Sequence, residues 1–389
     1  MKTLGLYIHI PFCVRKCLYC DFLSAPADET AREEYVRALL MEIRASGGSM
    51  LPADTVFIGG GTPSVLPSSA IREILDAVSD TFSVTDDAEI TMEMNPGVPW
   101  TEEEIRSVAR GSAECTRRSG QDRLYINRIS LGLQSVHNKE LRALGRIHTY
   151  EAFEKTFRLL RRCGIANLNT DLMFGIPGQT PESWRETLRT VTDLGPEHIS
   201  AYSLILEEGT PFFAMAEQGK LDLPAEEEER EMAGDTVRIL GEAGYRRYEI
   251  SNYAKAGYES RHNIRYWRRR DYLGFGTGAA SLLNNVRWSN GSDLSEYISC
   301  GETIRADEQT LSKEEQMEEY LFLGLRMCEG VSVSEFERQF GRTLQEEYGA
   351  VFEKYEPYGL FSEDGDRLFL TEKGLALSNT IFSDLIHDK

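Results

Sequence analysis

The sequence has no apolar run long enough to cross a bilayer as a helix, which takes about 20 residues. The stretch LGLYIHIPF near its start is too short and lacks the small-residue cleavage site of a secretion signal. Basic residues are also scarce, 43 against 63 acidic ones, so the formal net charge is -20. Because nucleic acids and anionic lipids bind basic surfaces, this charge argues against a general partner of either kind. We therefore predict a cytoplasmic protein with no integral membrane segment and no nucleic-acid partner.

Cysteine is infrequent, and its distribution argues against a disulfide framework. The seven cysteines are an odd number, and four of them are widely separated, at Cys115, Cys163, Cys300 and Cys328. Without a secretion signal, this pattern indicates reduced thiols. The other three, Cys13, Cys17 and Cys20, lie within eight residues. We expect these three to share one ligand.

Short β-branched runs alternate with segments of helical periodicity in the first half of the chain. Strands are predicted at Leu4–Ile10, Thr55–Gly60, Glu89–Asn95, Arg128–Gln134, Leu168–Phe174 and His198–Ile205. Helices are predicted at Ala31–Ala45, Ser68–Thr81, Glu102–Ala109, Glu151–Cys163 and Pro181–Leu194. Repeated β-α units of this kind form an α/β fold with parallel strands and right-handed crossovers. A doubly wound sheet and a barrel both fit, although six repeats are fewer than the eight of a closed barrel.

Polar residues recur at the carboxyl ends of these strands, where parallel α/β folds bind their ligands. They are Gly59–Thr62, Glu93, Asn95, Gln134 and Asp171. The segment Gly111–Tyr125 is predicted to be a polar surface insertion before the fourth strand.

The end of the chain has a different rhythm. Three helices are predicted at Lys313–Met327, Ser332–Gln339 and Leu344–Tyr355, followed by a hairpin in LFSEDGDRLFLTEKG. Helices followed by a β-ribbon indicate a small α+β, winged-helix-like domain. Since this region is itself acidic, a lid or protein-docking role is favoured over DNA binding.

The cysteine triplet has the spacing C-x-x-x-C-x-x-C, on one tight loop directly after the first strand. Thiolates are ligands that suit zinc or iron–sulfur clusters. Structural zinc takes four protein ligands, and the sequence has no second C-x-x-C. Three thiolates on a four-iron cube leave one iron without a protein ligand. The spacing therefore favours an iron–sulfur cluster, with zinc and a chance grouping as the alternatives.

This loop resembles that of the radical S-adenosylmethionine (SAM) superfamily. The resemblance implies a 4Fe–4S cluster on Cys13, Cys17 and Cys20, with SAM bound at the open iron through its amino and carboxylate groups. It also places the aromatic ring of Tyr19 near the adenine.

Further motifs are similar, and in the same order, to those of the oxygen-independent coproporphyrinogen III oxidase-like family. They are Y-I-H-I-P-F-C, G-G-G-T-P-S, E-M-N-P, R-I-S-L-G-L-Q-S, L-G-R-I-H and D-L-M-F-G-I-P-G-Q-T. The resemblance runs through most of the chain. It implies a SAM pocket formed by Tyr7, Gly60, Gly61, Thr62, Glu93, Gln134, Arg146 and Asp171.

Each of these residues also has a simpler interpretation when it is taken alone. The glycine triplet fits a tight turn, Gln134 or Arg146 fits an exposed surface position, and His9 fits a hydrogen-bonded core residue. Only the joint pattern favours the pocket. The same resemblance implies a partial (β/α)6 TIM-type barrel over residues 1–235, a haem-associated connecting segment over 236–304 and the family's C-terminal domain over 305–389.

Two departures from the oxidases indicate the haem chaperone branch of this family. Phe22 stands where the oxidases extend the cysteine loop to C-x-x-x-C-x-x-C-x-C. The oxidases also have a longer segment before the motif, whereas this chain reaches Tyr7 almost at once. Both features imply that the protein lacks coproporphyrinogen oxidase activity.

The segment Arg261–Arg270, RHNIRYWRRR, contains H-N-x-x-Y-W, which resembles a signature of that branch in which the histidine is associated with haem. Imidazole is a common axial ligand of haem iron, and arginines bind carboxylates such as propionates. His262 is therefore a candidate haem ligand. The alternative is a partly buried loop histidine flanked by surface arginines. Relatives commonly have His where Ala280 stands; if that histidine helps to hold haem, this protein binds haem differently or less tightly.

The leading hypothesis is a haem chaperone with a 4Fe–4S cluster, SAM and haem as cofactors. Such a protein would deliver haem to acceptor apoproteins and receive electrons from a donor. The sequence does not determine whether it forms an oligomer. The first alternative is an oxidase of porphyrin biosynthesis, which makes protoporphyrinogen IX by radical decarboxylation of coproporphyrinogen III. The second is a radical enzyme for another substrate.

Overall fold

The computed structural model describes residues 2–47, 51–97, 100–110, 123–300 and 305–386. Its strands are β1 Leu4–Ile10, β2 Ala53–Gly60, β3 Val84–Met94, β4 Arg128–Gln134, β5 Asn167–Phe174, β6 His198–Ser203, β7 Arg246–Arg247, β8 Asn252–Ala254, β9 Tyr272–Phe275, β10 Ala280–Leu283, β11 Val286–Asn290, β12 Arg305–Thr310, β13 Val331–Ser332, β14 Phe361–Asp364 and β15 Arg367–Leu370. Most of the predicted insertion Gly111–Tyr125 lies outside the described residues, and so does Cys115.

The predicted helices occur in the predicted order, with further helices among them, one at Asn138–Ala143 and the others after residue 210. They are α1 Glu29–Ala45, α2 Ser68–Thr81, α3 Glu102–Val108, α4 Asn138–Ala143, α5 Tyr150–Arg162, α6 Pro181–Leu194, α7 Pro211–Glu217, α8 Glu226–Glu242, α9 Arg261–Trp267, α10 Leu294–Cys300, α11 Lys313–Gly324, α12 Val333–Phe340, α13 Leu344–Tyr355, α14 Glu372–Ala376 and α15 Ser378–Leu385. Side-chain caps start many of them, such as Thr101 before α3 and Ser312 before α11.

The main sheet decides between the two folds that the β-α pattern left open. Strands β1 to β6 are parallel neighbours in chain order. A doubly wound sheet would instead reverse its order at a switch point. The fold is therefore a partial TIM-type barrel, as the resemblance implied. The sequence missed one parallel strand, because β9 follows a break in the β-α rhythm and yet pairs with β1.

Along the barrel strands, alternate side chains point outward to the apolar layer beneath the helices or inward to the interior of the barrel. On β1, the even-numbered residues from Leu4 to Ile10 are fully buried in the same hydrophobic cluster as Ile71 and Leu75 of α2. On β3, Glu89 and Glu93 point instead into the barrel, where they bond to α9 and to Gly60 respectively. This period of two leaves polar side chains for the interior while the outer layer of helices covers the apolar face.

Helix α9 closes the amino end of the barrel. The backbone amides of Arg261 and His262 both donate to the Glu89 carboxylate, each at 3.1 Å. The Arg265 side chain is buried, pairs with Asp54 and donates to the Thr3 carbonyl at 3.1 Å. The carboxyl ends of the strands lie at the opposite end, and they carry the candidate site.

The C-terminal domain has its own apolar cluster and a sheet in the order β13-β15-β14. The predicted hairpin is present, and Gly365 takes the first position of its two-residue turn with φ 58°. Strand β12 pairs with β11 of the main sheet, although the predicted division assigns residue 305 onward to the C-terminal domain. The domain boundaries themselves stay a prediction. In the part of the chain that the structure describes, no helix has the length and apolar character to cross a membrane.

Candidate functional site

The cysteine loop leaves β1 and is held by three backbone hydrogen bonds, one within the loop and two to other segments. At its base, Cys13 donates its backbone amide to the Ala25 carbonyl at 3.2 Å. At its tip, the amide of Leu18 donates to the Leu144 carbonyl at 3.1 Å, and the amide of Phe212 donates to the Leu18 carbonyl at 3.0 Å. The loop is therefore held across the carboxyl end of the barrel.

A cavity of about 140 Å³ lies between this loop and the strand ends. It brings together the three cysteines and most of the residues that the resemblance assigned to SAM. The lining includes Cys13, Cys17, Cys20, Tyr19, Gly60, Gly61, Thr62, Glu93, Gln134, Arg146 and Asp171. Residues far apart in the chain thus meet at the edge where ligands bind in parallel α/β folds.

Glycine is required at two places in the wall of this cavity. Gly60 has φ 107°, and a Cβ atom there would lie 2.4 Å from the His9 ring. A Cβ atom on Gly61 would lie 2.5 Å from the Phe12 carbonyl oxygen. Since a side chain would collide with His9 of β1 at Gly60 and with the base of the cysteine loop at Gly61, these glycines let β1, the loop and β2 approach closely.

A chain of polar contacts joins the cysteine loop to the strand ends. Arg146 donates from Nη2 to Asn95 Oδ1 at 2.7 Å and to the Gly132 carbonyl at 2.9 Å, and from Nη1 to Cys17 Sγ at 3.6 Å. Asn95 in turn donates to Thr62 Oγ1 at 2.7 Å. The sequence predicted Asn95 only as one of the polar residues at the strand ends, and the structure shows that it links Arg146 to Thr62.

Two carboxyl groups face the cavity from β3 and β5. Burial, followed by the neighbouring Asp171 carboxyl, raises the pKa of Glu93 to about 8. Burial also raises the pKa of Asp171, which accepts hydrogen bonds from Asn169 at 2.7 Å and from Ser130 at 3.1 Å. At neutral pH, Glu93 therefore holds a proton and is able to donate as well as accept a hydrogen bond.

Gln134 and the cysteines test whether this cavity fits a cluster and SAM. Gln134 has φ 73°, and its buried Oε1 has no hydrogen-bond partner. Because buried polar atoms are normally hydrogen-bonded, this oxygen is suited to accept a hydrogen bond from a ligand. The six cysteines of the described ranges are free thiols. No group of three His, Cys, Asp or Glu residues in those ranges is placed to hold a single metal ion. A cubane needs no such convergence, because each thiolate binds a different iron, so the donor set fits a cluster better than zinc.

Tyr7 and His9 lie behind the cavity wall. The Tyr7 hydroxyl and His9 Nδ1 are 2.9 Å apart, and His9 Nε2 lies 2.9 Å from the Leu23 carbonyl oxygen of the cysteine loop. The described lining of the cavity does not include Tyr7. These two side chains therefore support the loop, and the contact of Tyr7 with SAM stays a prediction.

His262 lies at the other end of the barrel, in α9. It is 1% exposed, and its ring nitrogens lie 2.9 Å from Thr55 Oγ1 and 2.8 Å from the Tyr266 hydroxyl. Burial, and then Arg265, lowers the pKa of His262 to about 3. Glu89, which bonds α9, and Glu93, which lines the cavity, are four residues apart on β3, or about 13 Å at the rise of a strand, so α9 is well separated from the cavity. Because both ring nitrogens of His262 already have partners, binding of iron by this side chain would require the loss of one of these hydrogen bonds.

The arginines near His262 are also engaged. Besides the pair of Arg265 with Asp54, Arg268 pairs with Glu329 at 2.7 Å and Arg269 with Glu319 at 2.7 Å. The Trp267 ring lies under the Arg326 guanidinium. The arginines in and after α9 are thus largely engaged in ion pairs with neighbouring acidic residues.

Comparison with protein families defines the class of the chain. Residues 7–191 match the model of the radical SAM superfamily, and residues 311–377 match the model of the HemN C-terminal domain. The chain is therefore a radical SAM protein with a HemN-type C-terminal domain.

Individual relatives narrow the class. The chain is 35% identical over 388 residues to heme chaperone HemW of Lactococcus lactis subsp. lactis strain IL1403, covering 100% of this chain and 98% of the relative. It is 34% identical to heme chaperone HemW of Bacillus subtilis strain 168, with 97% of each chain covered. It is 39% identical to heme chaperone HemW of Escherichia coli K12 over 72% of this chain and 70% of the relative. The chain belongs to the HemW family.

A solved structure supports the fold independently. The coproporphyrinogen III oxidase HemN from Escherichia coli, a radical SAM enzyme, superposes with a TM-score of 0.81 at 22% identity, over 99% of this chain and 90% of that one. At this identity the likeness concerns the fold alone.

Proposed function

We propose that this protein is a haem chaperone with a radical SAM core, which accepts haem and passes it to acceptor apoproteins. The observation that carries the proposal is the similarity to proteins named heme chaperone HemW along almost the whole chain, C-terminal domain included. The proposed setting is the cytoplasm.

Cys13, Cys17 and Cys20 would hold the 4Fe–4S cluster, which supplies one-electron chemistry and an open iron for SAM. Gly60 and Gly61 leave room for the ligand, and Thr62 lies beside Cys13, with Oγ1 at 3.4 Å from Sγ. Glu93 and Asp171 offer carboxyl groups for hydroxyls, and the buried Gln134 Oε1 offers an acceptor. Arg146 supplies a cation beside Cys17 and remains the proposed partner of the SAM carboxylate.

His262 remains a proposed haem ligand with a stated cost. Its neutral imidazole is the form that binds iron, but Thr55 and Tyr266 already hold both of its nitrogens. Haem coordination there would require movement of Tyr266 or of α9.

The decisive experiment uses anaerobically reconstituted full-length protein. One sample is loaded with haem and mixed with the apo form of a b-type haem protein, with free haem at the same concentration as the control. A second sample receives coproporphyrinogen III, SAM and a reductant. We expect haem transfer in the first sample and no protoporphyrinogen in the second. Appreciable protoporphyrinogen would establish the oxidase, and failure to retain haem would contradict the chaperone.

A further inference from the structure

An arginine lies unpaired inside the barrel. Arg128, at the start of β4, is 2% exposed and is among the largest fully buried side chains of the described residues. It forms no hydrogen bond and no ion pair with any residue that the structure describes, and its buried Nε has no partner. Buried arginines are almost always paired, because an isolated charge is costly to remove from water. Arg128 therefore calls for a partner other than these residues.

Two further polar atoms without partners lie at the same level of the barrel. Arg128 pairs in register with Thr91 of β3 and with Asn167 of β5, so the three side chains point to the same side of the sheet. Thr91 is fully buried, and its Oγ1 has no hydrogen-bond partner. The buried Oδ1 of Asn167 has none either. We name these three neighbouring side chains the interior arginine site.

The interior arginine site lies between the cavity of the cluster and the end of the barrel that α9 closes. On β3, Thr91 is midway between Glu93, which lines that cavity, and Glu89, which bonds the start of α9. Two residues in each direction correspond to about 7 Å along a strand. Ser130, which is two residues beyond Arg128 on β4, also lines the cavity. A ligand would therefore reach the site through the cavity, and the distance between the two levels suits a small molecule.

The surroundings of Arg128 provide no direct counter-ion. Glu89 accepts hydrogen bonds from the amides of α9, and neither it nor Glu93 or Asp171 forms an ion pair with the guanidinium. Burial raises the pKa of Glu93 to about 8, so this carboxyl group is protonated at neutral pH. Burial, and then the charge of Arg128, keeps the pKa of His198 well below its usual range, so that imidazole is neutral. The partner that Arg128 lacks is therefore an anion.

The donors of the site match a carboxylate. A guanidinium presents parallel N–H groups that fit the two oxygens of one carboxylate, which a spherical ion such as chloride does not reproduce. The Thr91 hydroxyl and the Asn167 amide group are able to donate further hydrogen bonds to the same ligand. Since buried polar groups are normally bonded, one ligand that satisfies all three side chains accounts for the whole set of unpaired atoms.

We propose that the interior arginine site binds a small carboxylate, of the size of formate or acetate, on the closed side of the SAM cavity. It is distinct from the proposed contacts of SAM, because Arg146 and not Arg128 is the proposed partner of the SAM carboxylate. The inference goes beyond the proposed chaperone function and does not depend on it.

The test measures acetate binding to the anaerobically reconstituted full-length protein in the presence of SAM. Thermal unfolding is recorded at increasing sodium acetate, with sodium chloride added to hold the ionic strength constant and with acetamide as the uncharged analogue. A ligand that binds only the folded protein raises the midpoint of unfolding. We expect acetate to raise the midpoint and acetamide to leave it unchanged, and isothermal titration calorimetry provides the dissociation constant.

Arg128→Met distinguishes a ligand-binding arginine from a structural one. Because Arg128 has no partner to lose among the described residues, we expect this variant to unfold without acetate at the same temperature as the unmodified chain or at a higher one. Its acetate binding should be at least about tenfold weaker, from the loss of charge-assisted hydrogen bonds. Arg158→Met removes an exposed arginine that pairs with Glu154, and this matched control should keep the acetate response.

Thr91→Val removes the unpaired hydroxyl while it nearly keeps the shape of the side chain. We expect acetate to bind several-fold more weakly to this variant, with no loss of stability in the absence of acetate. The site would be overturned if acetate raised the midpoint no more than acetamide does, if Arg128→Met kept the acetate response, or if Arg128→Met unfolded at a lower temperature without acetate. None of these outcomes bears on haem transfer, which is measured separately with the apo form of a b-type haem protein.

Discussion

At the scale of single residues, Glu93 is the group whose ionisation most clearly depends on the fold. Its pKa is about 8 in the folded protein and 4.5 in the absence of its surroundings. Because the folded state holds this proton more tightly than the unfolded state, the contribution of Glu93 to the free energy of unfolding is greatest below pH 4.5. It falls as the pH rises from 4.5 to 8 and is constant above pH 8. Burial of Glu93 therefore lowers the free energy of unfolding at neutral and alkaline pH, while it places a polar group at the cavity.

Glu93→Gln should remove that cost. We expect the cluster-free variant to match the unmodified protein near pH 5 and to exceed its unfolding free energy by about 2–4 kcal/mol near pH 8.5, since one pKa unit is about 1.4 kcal/mol. Urea denaturation at both pH values measures the difference. An equal difference at the two pH values would show that Glu93 does not titrate in this range.

His262→Ala is expected to destabilise the barrel. The substitution removes two side-chain hydrogen bonds and leaves Thr55 and Tyr266 facing a cavity, which together cost about 2–4 kcal/mol. Since burial keeps His262 neutral down to a pKa of about 3, its contribution rises with pH between about 3 and 6.5 and is complete above that range. Thermal unfolding of the cluster-free chain at pH 5 and pH 8 checks both points. Unchanged stability combined with lost haem would favour the ligand role instead.

At the scale of elements, the sequence predicts those strands and helices whose own residues carry the pattern, and it misses those that form only through contacts with distant parts of the chain. The six strands β1 to β6 were predicted because each contains a short run rich in β-branched or other apolar residues, and most are followed by a segment with helical periodicity. Strand β9 was missed because Y-L-G-F is short and becomes a strand only through its pairing with β1. The site was predicted from motifs, but nothing local indicates that His262 would fill the barrel interior, since that depends on Thr55 and Glu89 being brought beneath it.

Helix α9 depends on the carboxylate at its start. Glu89 accepts hydrogen bonds from the backbone amides of Arg261 and His262, which would otherwise lack partners at the start of the helix. Its carboxylate also interacts favourably with the positive end of the helix dipole. Glu89→Gln should cost about 1–2 kcal/mol, because one acceptor oxygen and the charge are lost. Hydrogen exchange of the α9 amides provides the readout, with Glu104→Gln at the exposed cap of α3 as the control. Unaltered protection in α9 would mean that the helix is held by its packing alone.

At the scale of the whole molecule, the barrel and the C-terminal domain are joined by a charged centre. Glu319 of α11 lies between Arg269, which follows α9, and Arg287 of β11, at 2.7 and 2.6 Å. The side chains of Glu319 and Arg269 are each 7% exposed, so this pair is buried. The segment that carries the H-N-x-x-Y-W motif is therefore in direct contact with both the barrel interior and the C-terminal domain, a connection that no local sequence pattern indicated.

Glu319→Ala should uncouple the two parts of the chain. Removing the carboxylate leaves two arginines unpaired, one of them buried, and breaking a buried ion pair in this way costs about 3–5 kcal/mol. The loss falls on the junction, so we expect the C-terminal domain to unfold in a separate transition at lower urea concentration, and proteases to cleave the chain near the junction. Glu154→Ala removes an exposed pair with Arg158 and should cost at most about 1 kcal/mol. A single unfolding transition with an unchanged midpoint in Glu319→Ala would show that apolar packing, rather than this charge cluster, holds the C-terminal domain on the barrel.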